Sequence, residues 1–433
     1  MVDITYNDAV DFIYNARSKV GLDGVKQVLR QLGNPQNAFA VIHVAGTNGK
    51  GSVCAFLNYI LIAAGYKTGL FTSPHIAKYN ERIKINNNLI SDTDFADALA
   101  QITQYSTDMS FFENLTCMAY SYFASQNVDI AIIEIGIGGR LDSTNVVDNP
   151  ILSVITAPGY DHTELLGNTL TQLALEDAGI IKNNCPVAVY PTPSLATFTA
   201  VAAAKQAPLY YLGDTAKITD VSYTINNTIF SVDTPYFSYK ALQIQLLGEH
   251  QIQNAIHALL CTEVLRKQKL NIPNKAVQDG LLNCKWQGRF ELFRQKPTIV
   301  LDGAHNEDGA KVFRQAMSLY FAQHSPIVLI VAISQKKDYA AILQHMLHNN
   351  PIISHVICTC SSFKPMAAQE LAIFVQSQTQ ATIHVQPNCR IALQKAQQLA
   401  NPNGIVAVAG SLYLIGDLRE TIVNNQNNPS KTQ

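Results

Sequence analysis

The chain has 433 residues, of which 47% are hydrophobic and 15% charged, and its formal net charge is −1. This composition is typical of a compact protein of two or three domains, and the near-neutral charge argues against binding to nucleic acid or to an anionic membrane. No apolar run reaches the ~18 residues that cross a bilayer, and the first residues lack the pattern of a secretory signal. The cysteines form no CxxC pair, so we expect reduced, buried thiols in a cytoplasmic protein.

The first 290 residues combine helical and strand patterns. Residues 1–38 have helical spacing, and apolar strands are expected at 39–45, 67–72, 128–135, 151–156 and 186–190. Their alternation with amphipathic stretches predicts a mostly parallel sheet flanked by helices. Short apolar runs separated by Asn226-Asn227 predict antiparallel hairpins within 207–247, and a helix is expected from about 251 to 269.

A second α/β pattern begins near residue 297. Its strands are expected at 297–302, 326–333, 353–359, 381–386 and 404–409. We therefore predict a P-loop-type N-terminal domain (1–290) with a central, mostly parallel sheet and a small antiparallel portion. A smaller Rossmann-like α/β domain (291–424) and a frayed tail (425–433) are expected to follow.

The most informative segment joins the first predicted strand to an apolar helix, and it reads Gly46-Thr47-Asn48-Gly49-Lys50-Gly51-Ser52. Glycines let backbone N–H groups converge on phosphate oxygens, and a helix N-terminus adds positive potential. A lysine can neutralise phosphate charge, and a serine hydroxyl can hold Mg²⁺. The segment predicts a site for a nucleoside triphosphate, although Gly51 separates the lysine from the serine. The alternative is a glycine turn with a solvated lysine.

Other polar residues stand at predicted strand ends, where open α/β sheets bind ligands. Glu134 ends one strand and can hold Mg²⁺ opposite the glycine segment, the alternative being a solvated acid. His162 follows the next strand and is a candidate ligand for a second metal, or a histidine with a purely structural role. Asp302 and His305 end the first strand of the second pattern, where an Asx turn that caps a helix is the alternative.

A set of short motifs accompanies these residues in a fixed order. They are Thr72-Ser73-Pro74-His75, Glu81-Arg82-Ile83, Phe111-Phe112-Glu113, Gly138-Gly139-Arg140-Leu141-Asp142, Asp161-His162-Thr163, Gly248-Glu249-His250-Gln251, Trp286-Gln287-Gly288-Arg289 and Gly410-Ser411-Leu412-Tyr413. Through this set the chain resembles the folylpolyglutamate synthase/dihydrofolate synthase family of the Mur ligase superfamily over about residues 1–420. The resemblance implies an ATP-dependent ligase that phosphorylates the γ-carboxylate of a folate and joins the acyl phosphate to L-glutamate. It leaves open whether glutamate is also joined to dihydropteroate.

The resemblance also implies roles for single residues. Lys50, His162, His305 and Asp177 are the candidate catalytic residues. The candidate ATP-binding residues are Thr47, Asn48, Gly49, Lys50, Gly51, Ser52, Gln251, Asn254, Arg289 and Asp302. The candidate metal ligands are Ser73, Glu134 and His162, and the candidate substrate contacts are Arg82, Phe112 and Ser411. The expected cofactor is Mg²⁺. ATP, a folate or dihydropteroate, and L-glutamate are the expected partners of a monomer.

One position departs from the family pattern. The family reads Glu-Lys-Ala-Gly, with a lysine that is commonly carbamylated and helps to organise a second metal site, whereas this chain has Glu176-Asp177-Ala178-Gly179. Aspartate carries its charge several bonds closer to the backbone, and Mg²⁺ is strict about ligand distance. Ala157 and Pro158 also replace the usual Asn-Ile in the preceding loop.

We therefore expect an intact ATP site and first Mg²⁺ site, and an altered second metal site. The alternatives are a non-catalytic or impaired paralogue that binds nucleotide or folate, and another Mur-type amino-acid ligase. A P-loop GTPase switch is disfavoured, because the second α/β pattern has its own strand-end acid and histidine.

Overall fold

The computed structural model describes residues 4–16, 21–106 and 108–427, so the end of the predicted tail, 428–433, lies outside the described residues. The chain folds into two compact units. Within the described residues, unit 1 is drawn from Met1–Ser222, Ile229–Gln245 and Ile252–Cys284. Unit 2 is drawn from Tyr223–Thr228, Leu246–Gln251 and Lys285–Gln433.

The helices up to residue 284 include helices within residues 1–38 and a helix close to 251–269, as the sequence predicted. They are α1 (Tyr6–Tyr14), α2 (Asp23–Gln31), α3 (Lys50–Ala63), α4 (Asp92–Thr103), α5 (Phe111–Ser125), α6 (Thr163–Leu166), α7 (Leu170–Asp177), α8 (Leu195–Ala204), α9 (Glu249–Lys267) and α10 (Asn274–Asn283). Short 3₁₀ turns occur at Pro35–Asn37, Tyr79–Arg82, Ala178–Ile180 and Gly213–Thr215.

The strands in the same part of the chain form two sheets. They are β1 (Ala40–Ala45), β2 (Thr68–Phe71), β3 (Ile83–Ile85), β4 (Asn88–Leu89), β5 (Ile130–Glu134), β6 (Leu152–Ile155), β7 (Val187–Val189), β8 (Leu209–Tyr211), β9 (Lys217–Tyr223), β10 (Thr228–Asp233) and β11 (Ser238–Ile244).

The main sheet of unit 1 has the order β4-β3-β2-β5-β1-β6-β7-β8. β1 lies between β5 and β6 and is parallel to both, with Val44 opposite Glu134 and Ala45 opposite Ile155. Its residues from Val41 onward are buried, as expected for a parallel strand that is covered on both faces. Because β2, β5, β1 and β6 are all parallel neighbours, their carboxyl ends meet at one edge.

The strands β9, β10 and β11 form a separate three-stranded sheet. Short turns join them, closed by hydrogen bonds of 2.9 Å from Thr224 N–H to Asn227 O and from Thr234 N–H to Phe237 O. Connections this short require antiparallel strands. The hairpins predicted around Asn226-Asn227 are therefore confirmed.

Unit 2 has its own sheet and surrounding helices. The strands are β12 (Glu291–Phe293), β13 (Thr298–Leu301), β14 (Ile327–Val331), β15 (His355–Cys360), β16 (Thr382–Asn388) and β17 (Ile405–Ala409), and the helices are α11 (Glu307–Phe321), α12 (Tyr339–Leu347), α13 (Ala368–Gln376), α14 (Cys389–Ala400) and α15 (Leu412–Asn427). The sheet order is β12-β13-β17-β14-β15-β16. All pairs are parallel except the edge pair β12–β13.

The structure confirms the α/β class with a mostly parallel sheet in each unit, and every predicted strand is present. One prediction was wrong, because 209–211 forms no hairpin but adds β8 in parallel to β7 at the sheet edge. Two short edge elements were not predicted, the antiparallel pair β3–β4 and the strand β12. Each is too short to show an alternating pattern. None of the helices in the described part of the chain combines the length and apolar content needed to span a bilayer.

Candidate active site

Four predicted positions follow neighbouring strands of the main sheet in unit 1. Ser73 comes shortly after β2, Glu134 ends β5, and His162 lies in the loop after β6. The segment 46–52, which we call the glycine loop, leaves β1 between them and enters α3 at Lys50. The structure therefore brings these residues to one edge of the sheet, where open parallel sheets bind ligands.

The glycine loop is fixed by the backbone that follows β6. The N–H groups of Thr47 and Asn48 both donate to the Ala157 carbonyl, at 3.1 and 3.0 Å. The Thr47 hydroxyl donates to Gly159 O at 3.0 Å and accepts from Gly159 N–H at 2.9 Å. Because residue 157 contributes only its carbonyl to these bonds, its change to alanine leaves them possible.

Two glycines of the loop have a positive φ and a close neighbour where a Cβ would stand. Gly46 has a φ of +126°, and a Cβ there would lie 2.3 Å from the Thr156 hydroxyl oxygen. Gly49 has a φ of +85°, and its Cβ would lie 2.6 Å from Asn254 Oδ1. Both backbone conformations belong to the left-handed region that favours glycine. The same geometry brings Asn254, a predicted ATP contact on α9, against the loop.

Lys50 is the first residue of α3, and its ammonium turns back over the glycine loop. Nζ donates to Gly46 O at 2.7 Å and to Thr47 O at 3.1 Å. Ser52, two residues further along α3, is buried. The loop therefore combines the N-terminus of a fourteen-residue helix with one cation, which is the chemistry of a phosphate site.

Glu134 and Ser73 lie together beside this loop. Oε2 of Glu134 accepts from the Ser73 backbone N–H at 2.9 Å, and the Ser73 hydroxyl donates to Ile135 O at 3.4 Å. The Glu134 side chain is buried. A carboxylate next to a hydroxyl offers the hard oxygen ligands that Mg²⁺ prefers. The donor set of this pair fits the predicted first metal site.

His162 occupies a strained position in the loop after β6. Its φ of +50° is left-handed, its backbone N–H donates to Asp161 Oδ1 at 2.9 Å, and its Nε2 lies 3.9 Å from the same carboxylate oxygen. Non-glycine residues in this conformation cluster at functional sites. Among the described residues there is no group of three or more His, Cys, Asp and Glu side chains that can hold a metal ion. Mg²⁺ needs no such group, since it takes most of its ligands from water and substrate phosphates.

Asp177, the last residue of α7, is buried. Burial raises the pKa of Asp177 to about 7, an effect that the positive charge of Lys50 and the backbone N–H of Gly46 oppose. The sequence predicted a changed residue at this position, but it gave no sign of which group the shorter side chain would reach.

The loop after β5 folds around one carboxylate, that of Asp142. Its Oδ2 accepts from Gly136 N–H at 2.8 Å and from Ile137 N–H at 3.0 Å. Its Oδ1 accepts from the backbone N–H of Thr144 at 3.0 Å and from the Thr144 hydroxyl at 2.5 Å. Burial raises the pKa of Asp142, and these bonds oppose the rise.

A buried histidine on β1 extends this network. His43 Nε2 lies 2.8 Å from the Thr144 hydroxyl oxygen, and burial lowers the pKa of His43 to about 3. Tyr120 donates to Thr144 O at 2.9 Å. Neither the organising role of Asp142 nor His43 was predicted. The one signal in the sequence was His43 itself, a polar residue inside the apolar run 39–45, because a buried polar side chain needs a hydrogen-bond partner.

The loop after β5 also packs tightly on the end of α7. A Cβ on Gly139 would lie 2.5 Å from Glu176 O, and a Cβ on Gly179 would lie 2.3 Å from Arg140 Cα. Arg140 N–H donates to Glu176 O at 2.9 Å, and its guanidinium pairs with Glu176 Oε1 at 2.9 Å. This glycine clamp, formed by 138–140 and 176–179, fixes the backbone on both sides of Asp177.

The predicted substrate contacts Arg82 and Phe112 lie in an aromatic cluster next to β2. Arg82 is buried, its Nε donates to His75 Nδ1 at 2.9 Å, and its guanidinium lies 5.0 Å above the Phe111 ring. Burial and the nearby Arg82 charge lower the pKa of His75 to about 3, so the ring stays neutral. The Phe112 ring lies close to Gly136, where a Cβ would be only 2.7 Å away.

Glu113, in the same motif as Phe112, has a structural role. Its Oε2 accepts from the Ser110 backbone N–H at 2.7 Å, and its own N–H donates to the Ser110 hydroxyl. These two bonds form the capping box of α5. The motif therefore fixes the helix end that presents Phe111 and Phe112.

In unit 2, Asp302 organises the segment after β13. Its two carboxylate oxygens accept from Phe290 N–H at 2.9 Å and from Ala304 N–H at 2.8 Å. The bond to Ala304 is the Asx turn that was the alternative interpretation, but the cap of α11 is Asn306, which accepts from Gly309 N–H. Burial raises the pKa of Asp302, and the charge of Arg289 opposes this rise.

Arg289 and His305 flank the same segment. Arg289 Nη1 lies across Gly303, 2.5 Å from where a Cβ would stand, and it donates to Gly288 O at 3.2 Å. His305 Nδ1 lies 2.6 Å from Gly303 O. A carbonyl can only accept, so Nδ1 carries the proton of a neutral His305.

The remaining predicted positions lie on α9 and after β17. Gln251 is buried near the start of α9. Ser411 follows β17, the parallel neighbour of β13, and its hydroxyl accepts from Tyr413 N–H at 3.2 Å. The preceding Gly410 N–H donates to Ala304 O at 2.9 Å, so the ends of the two strands are joined. The proposed substrate contact of Ser411 stays a prediction.

Two family models match the chain. The model of the Mur ligase middle domain matches residues 44–262, and that of the dihydrofolate synthetase C-terminal domain matches residues 289–421. The first match includes the glycine loop, Glu134, His162 and Asp177. The second includes Arg289, Asp302, His305 and Ser411.

Curated and solved relatives agree with these models. The dihydrofolate synthase/folylpolyglutamate synthase of Bacillus subtilis is 36% identical, over 96% of this chain and 99% of its own. Escherichia coli FolC, solved in complex with DHPP and ADP, superposes with a TM-score of 0.87 at 27% identity, over 98% and 99% of the two chains. Mycobacterium tuberculosis folylpolyglutamate synthase, complexed with ADP and AMPPCP, gives 0.85 at 28% identity, over 93% and 95%. The chain belongs to the folylpolyglutamate synthase/dihydrofolate synthase family.

Proposed function

We propose that this protein is an ATP-dependent ligase that joins L-glutamate to the γ-carboxylate of a folate through an acyl phosphate. The observation that carries the proposal is the glycine loop, in which Lys50 lies at the N-terminus of α3, at the same sheet edge as the Glu134–Ser73 pair. Membership of the family, and the ADP-bound relatives, support the same reaction.

The proposed reaction has two steps. A γ-carboxylate oxygen of the folate attacks the γ-phosphorus of ATP, the bond to the bridging oxygen breaks, and ADP leaves. The amino group of glutamate then attacks the acyl carbon, loses a proton and expels phosphate. Phosphorylation turns a poor electrophile into a good one, so the protein mainly positions the reactants and offsets negative charge.

Each group of residues has one proposed task in these steps. The glycine loop and Lys50 bind the phosphates of ATP, with Gln251, Asn254, Arg289 and Asp302 as further nucleotide contacts. Arg82 and Phe112 bind the folate, and neutral His75 holds Arg82 in place. His305 and Ser411 bind glutamate or the acyl phosphate.

Mg²⁺ is the proposed cofactor, held by Glu134 and Ser73. When bound, it would supply Lewis-acid stabilisation of charge on the phosphoryl oxygens. We further propose that the second metal site near His162 is altered, because the side chain of Asp177 is shorter than the lysine of the family pattern and Mg²⁺ is strict about ligand distance.

A direct assay tests the reaction. Purified protein is incubated with Mg²⁺, ATP, L-glutamate and either tetrahydrofolate or dihydropteroate, and ADP, phosphate and the glutamylated product are quantified. We expect ADP and γ-glutamyl product in equal amounts with tetrahydrofolate, and turnover with dihydropteroate would add dihydrofolate synthase activity. Nucleotide binding without ADP release at saturating substrates would indicate the non-catalytic paralogue instead.

A pair of lysine variants controls this assay. Lys50→Ala removes the cation of the glycine loop, and we expect a loss of turnover of at least about 100-fold, in line with other positioned charges in active sites. Lys275→Ala removes an exposed lysine that pairs with Asp279 on α10, and we expect unchanged turnover. Equal activity of both variants would contradict the role of Lys50. Chelation with EDTA should stop turnover, and added Mg²⁺ should restore it.

Anomalous scattering tests the metal proposal. Crystals are soaked with Mn²⁺ and AMPPCP, and data are collected near the manganese absorption edge. We expect one strong peak next to Glu134 and Ser73. Two fully occupied peaks with direct ligation by Asp177 would overturn the proposal of an altered second site.

We also propose that the protein is a cytoplasmic monomer. Its eight cysteines are all free thiols and six of them are buried, which favours a reducing compartment. Light scattering coupled to size-exclusion chromatography should give a mass near the 47.5 kDa of one chain, and twice that mass would contradict the proposal.

A further inference from the structure

A chain of hydrogen bonds runs from His43 on β1 to the loop after β5, and none of the proposed reaction steps uses it. We propose that His43 is a positioning residue for folate binding. Its neutral ring donates from Nε2 to Thr144 and, through Thr144 and Asp142, holds the backbone on which the Phe112 ring packs. The inference rests on the proposed function, because Phe112 is a folate contact only within that proposal.

The direction of the chain follows from the donors around Asp142. Three backbone N–H groups bond to its carboxylate, and donors of this kind stabilise the ionised form. An ionised carboxylate only accepts, so the Thr144 hydroxyl, 2.5 Å from Oδ1, donates its single proton in the hydrogen bond to Asp142. The hydroxyl oxygen must then accept from His43 Nε2 at 2.8 Å, which puts the proton of the ring on Nε2.

The other ring nitrogen of His43 supports a neutral ring. Nδ1 is buried and has no hydrogen-bond partner among the residues that the structure describes. A second proton there would be a buried donor without an acceptor, which costs about 1–3 kcal/mol and more for a charged group. Burial accordingly lowers the pKa of His43 to about 3. The ring is therefore neutral near physiological pH, and it acts through its hydrogen bond to Thr144.

The chain is anchored in the centre of the main sheet. β1 lies between β5 and β6, and the side chains of His43 and Thr144 are completely buried. The Tyr120 hydroxyl donates to Thr144 O at 2.9 Å, which fixes the same residue from α5. A buried residue held from two elements cannot shift without loss of both contacts, so Thr144 transmits the position of β1 to Asp142.

The far end of the chain lies under a predicted folate contact. Asp142 Oδ2 accepts from the N–H groups of Gly136 and Ile137. A Cβ on Gly136 would lie 2.7 Å from the Phe112 ring, so the ring packs directly on this backbone. A displaced Asp142 would release the Gly136 peptide, and the surface that supports Phe112 would move with it.

The glycine loop is fixed by other contacts. Its hydrogen bonds run to the backbone of Ala157 and Gly159, after β6. Loss of the His43 bond should therefore weaken folate binding while nucleotide binding is retained. This difference separates a positioning role from a general loss of structure.

Steady-state kinetics of the full chain test the inference. His43→Leu removes the donor at similar volume. His43→Gln restores one, because the amide nitrogen of glutamine lies as many bonds from Cα as Nε2 of histidine. We expect His43→Leu to raise KM for tetrahydrofolate about tenfold, with KM for ATP within about twofold of wild type. His43→Gln should bring KM for tetrahydrofolate back to within about threefold of wild type.

Thr144→Val breaks the same chain at its next member. Valine keeps the shape of threonine and lacks the hydroxyl, so we expect the same rise in KM for tetrahydrofolate as in His43→Leu. The double variant should show no further rise, because the chain is already broken in each single variant. Additive effects would show that the two residues act independently and would overturn the inference.

Nitrogen NMR locates the proton of the ring without any need for turnover. Protein with isotope-labelled histidine is studied at about pH 7, and the ring signals that disappear in His43→Gln belong to His43. We expect the pattern of a neutral ring that is protonated at Nε2. A ring protonated at Nδ1, or at both nitrogens, would overturn the inference.

The kinetic outcomes separate this inference from the proposed function. No turnover by wild-type protein with tetrahydrofolate or dihydropteroate would contradict the proposed function and, with it, the folate role of His43. Turnover in which His43→Leu leaves KM for tetrahydrofolate unchanged, or raises both KM values equally, would overturn the inference alone. His257→Leu is the matched control, since it removes another buried histidine of unit 1, and we expect its KM for tetrahydrofolate to equal that of wild type.

Discussion

The glycine loop of unit 1 and the segment after β13 in unit 2 both leave the end of a buried parallel strand, but they are held by different kinds of contact. Thr47 bonds to Gly159, 112 positions away along the chain. Asp302 bonds to Ala304 and Phe290, which are 2 and 12 positions away. The glycine loop therefore takes its shape only when the sheet is assembled. The carboxylate of Asp302 instead finds its partners nearby along the chain, and backbone bonds join its segment to β17.

The largest expected effect is on the glycine loop, whose hydrogen-bond partners are distant along the chain. Gly46→Ala forces a side chain into a left-handed backbone at 2.3 Å from Thr156 Oγ1. Strain and overpacking together predict a loss of about 4 kcal/mol in the free energy of unfolding, with loss of ADP binding. Urea unfolding and calorimetry measure the two effects. Gly33→Ala is the control, because Gly33 also has a positive φ, +80°, but a Cβ there would meet no atom within 4 Å. This variant should lower the free energy of unfolding by about 1 kcal/mol without changing ADP affinity.

Removing one organising carboxylate from each unit compares the two regions directly. Asp142→Ala leaves the buried N–H groups of Gly136, Ile137 and Thr144 without their acceptor, and we expect a loss of about 3 kcal/mol. Asp302→Ala removes the acceptor of two N–H groups and should cost about 2 kcal/mol. Urea unfolding of both variants tests the order. A larger loss for Asp302→Ala would contradict it.

Acid should weaken unit 1 through its buried histidines. The pKa values of His43, His75 and His257 are lowered to about 3 by burial, whereas an unfolded histidine titrates near 6.5. The unfolded chain thus binds more protons between these values, so the stability is fully present above about pH 6.5 and is lost as the pH falls toward 3. In that window each histidine lowers the free energy of unfolding by about 1.4 kcal/mol for every pH unit of acidification. Replacing His257 by Gln should reduce the slope of unfolding free energy against pH by that amount, and an unchanged slope would show that His257 does not titrate there.

The smallest effect is expected at the ion pair on the outside of the glycine clamp. Arg140 is 59% exposed in its pair with Glu176, so Glu176→Gln should cost no more than about 0.5 kcal/mol. Thermal unfolding checks this value. A loss above about 1.5 kcal/mol would mean that the side-chain pair, rather than the close backbone packing, holds the clamp together.

Much of the site edge could be predicted from the sequence, because the signals were local. Apolar runs marked the strands, and the polar residues directly after them had to share one edge once the strands were parallel. Glu134 and the glycine loop were found in this way in unit 1, and Asp302 was found in the same way in unit 2. The roles of Gln251 and Ser411 came only from the resemblance to the family. The position of His305 was found from its strand end, but its specific role came from the resemblance, and all three roles remain proposals.

The contacts that shape the site could not be predicted, since they join residues that are distant along the chain. The Ala157 carbonyl binds the glycine loop through backbone atoms, which leave no mark in a sequence. Asp177 was visible as a changed residue, but its burial depends on how the end of α7 packs against the loop after β5. The edge strand β8 was not predicted as part of the main sheet, because three residues are too few to show the hydrophobic pattern of a strand.

The glycine clamp fixes the backbone on both sides of position 177, so that one side chain can replace another there. Because Gly139 and Gly179 fix the chain by backbone contact alone, the side chain at 177 does not hold the frame together. Acidic side chains of different length can therefore occupy this position without a change in the surrounding backbone. The length of the side chain then sets how far the negative charge lies from the backbone. A single substitution at this position can therefore change the charge that is buried at the end of α7, with the fold left as it was.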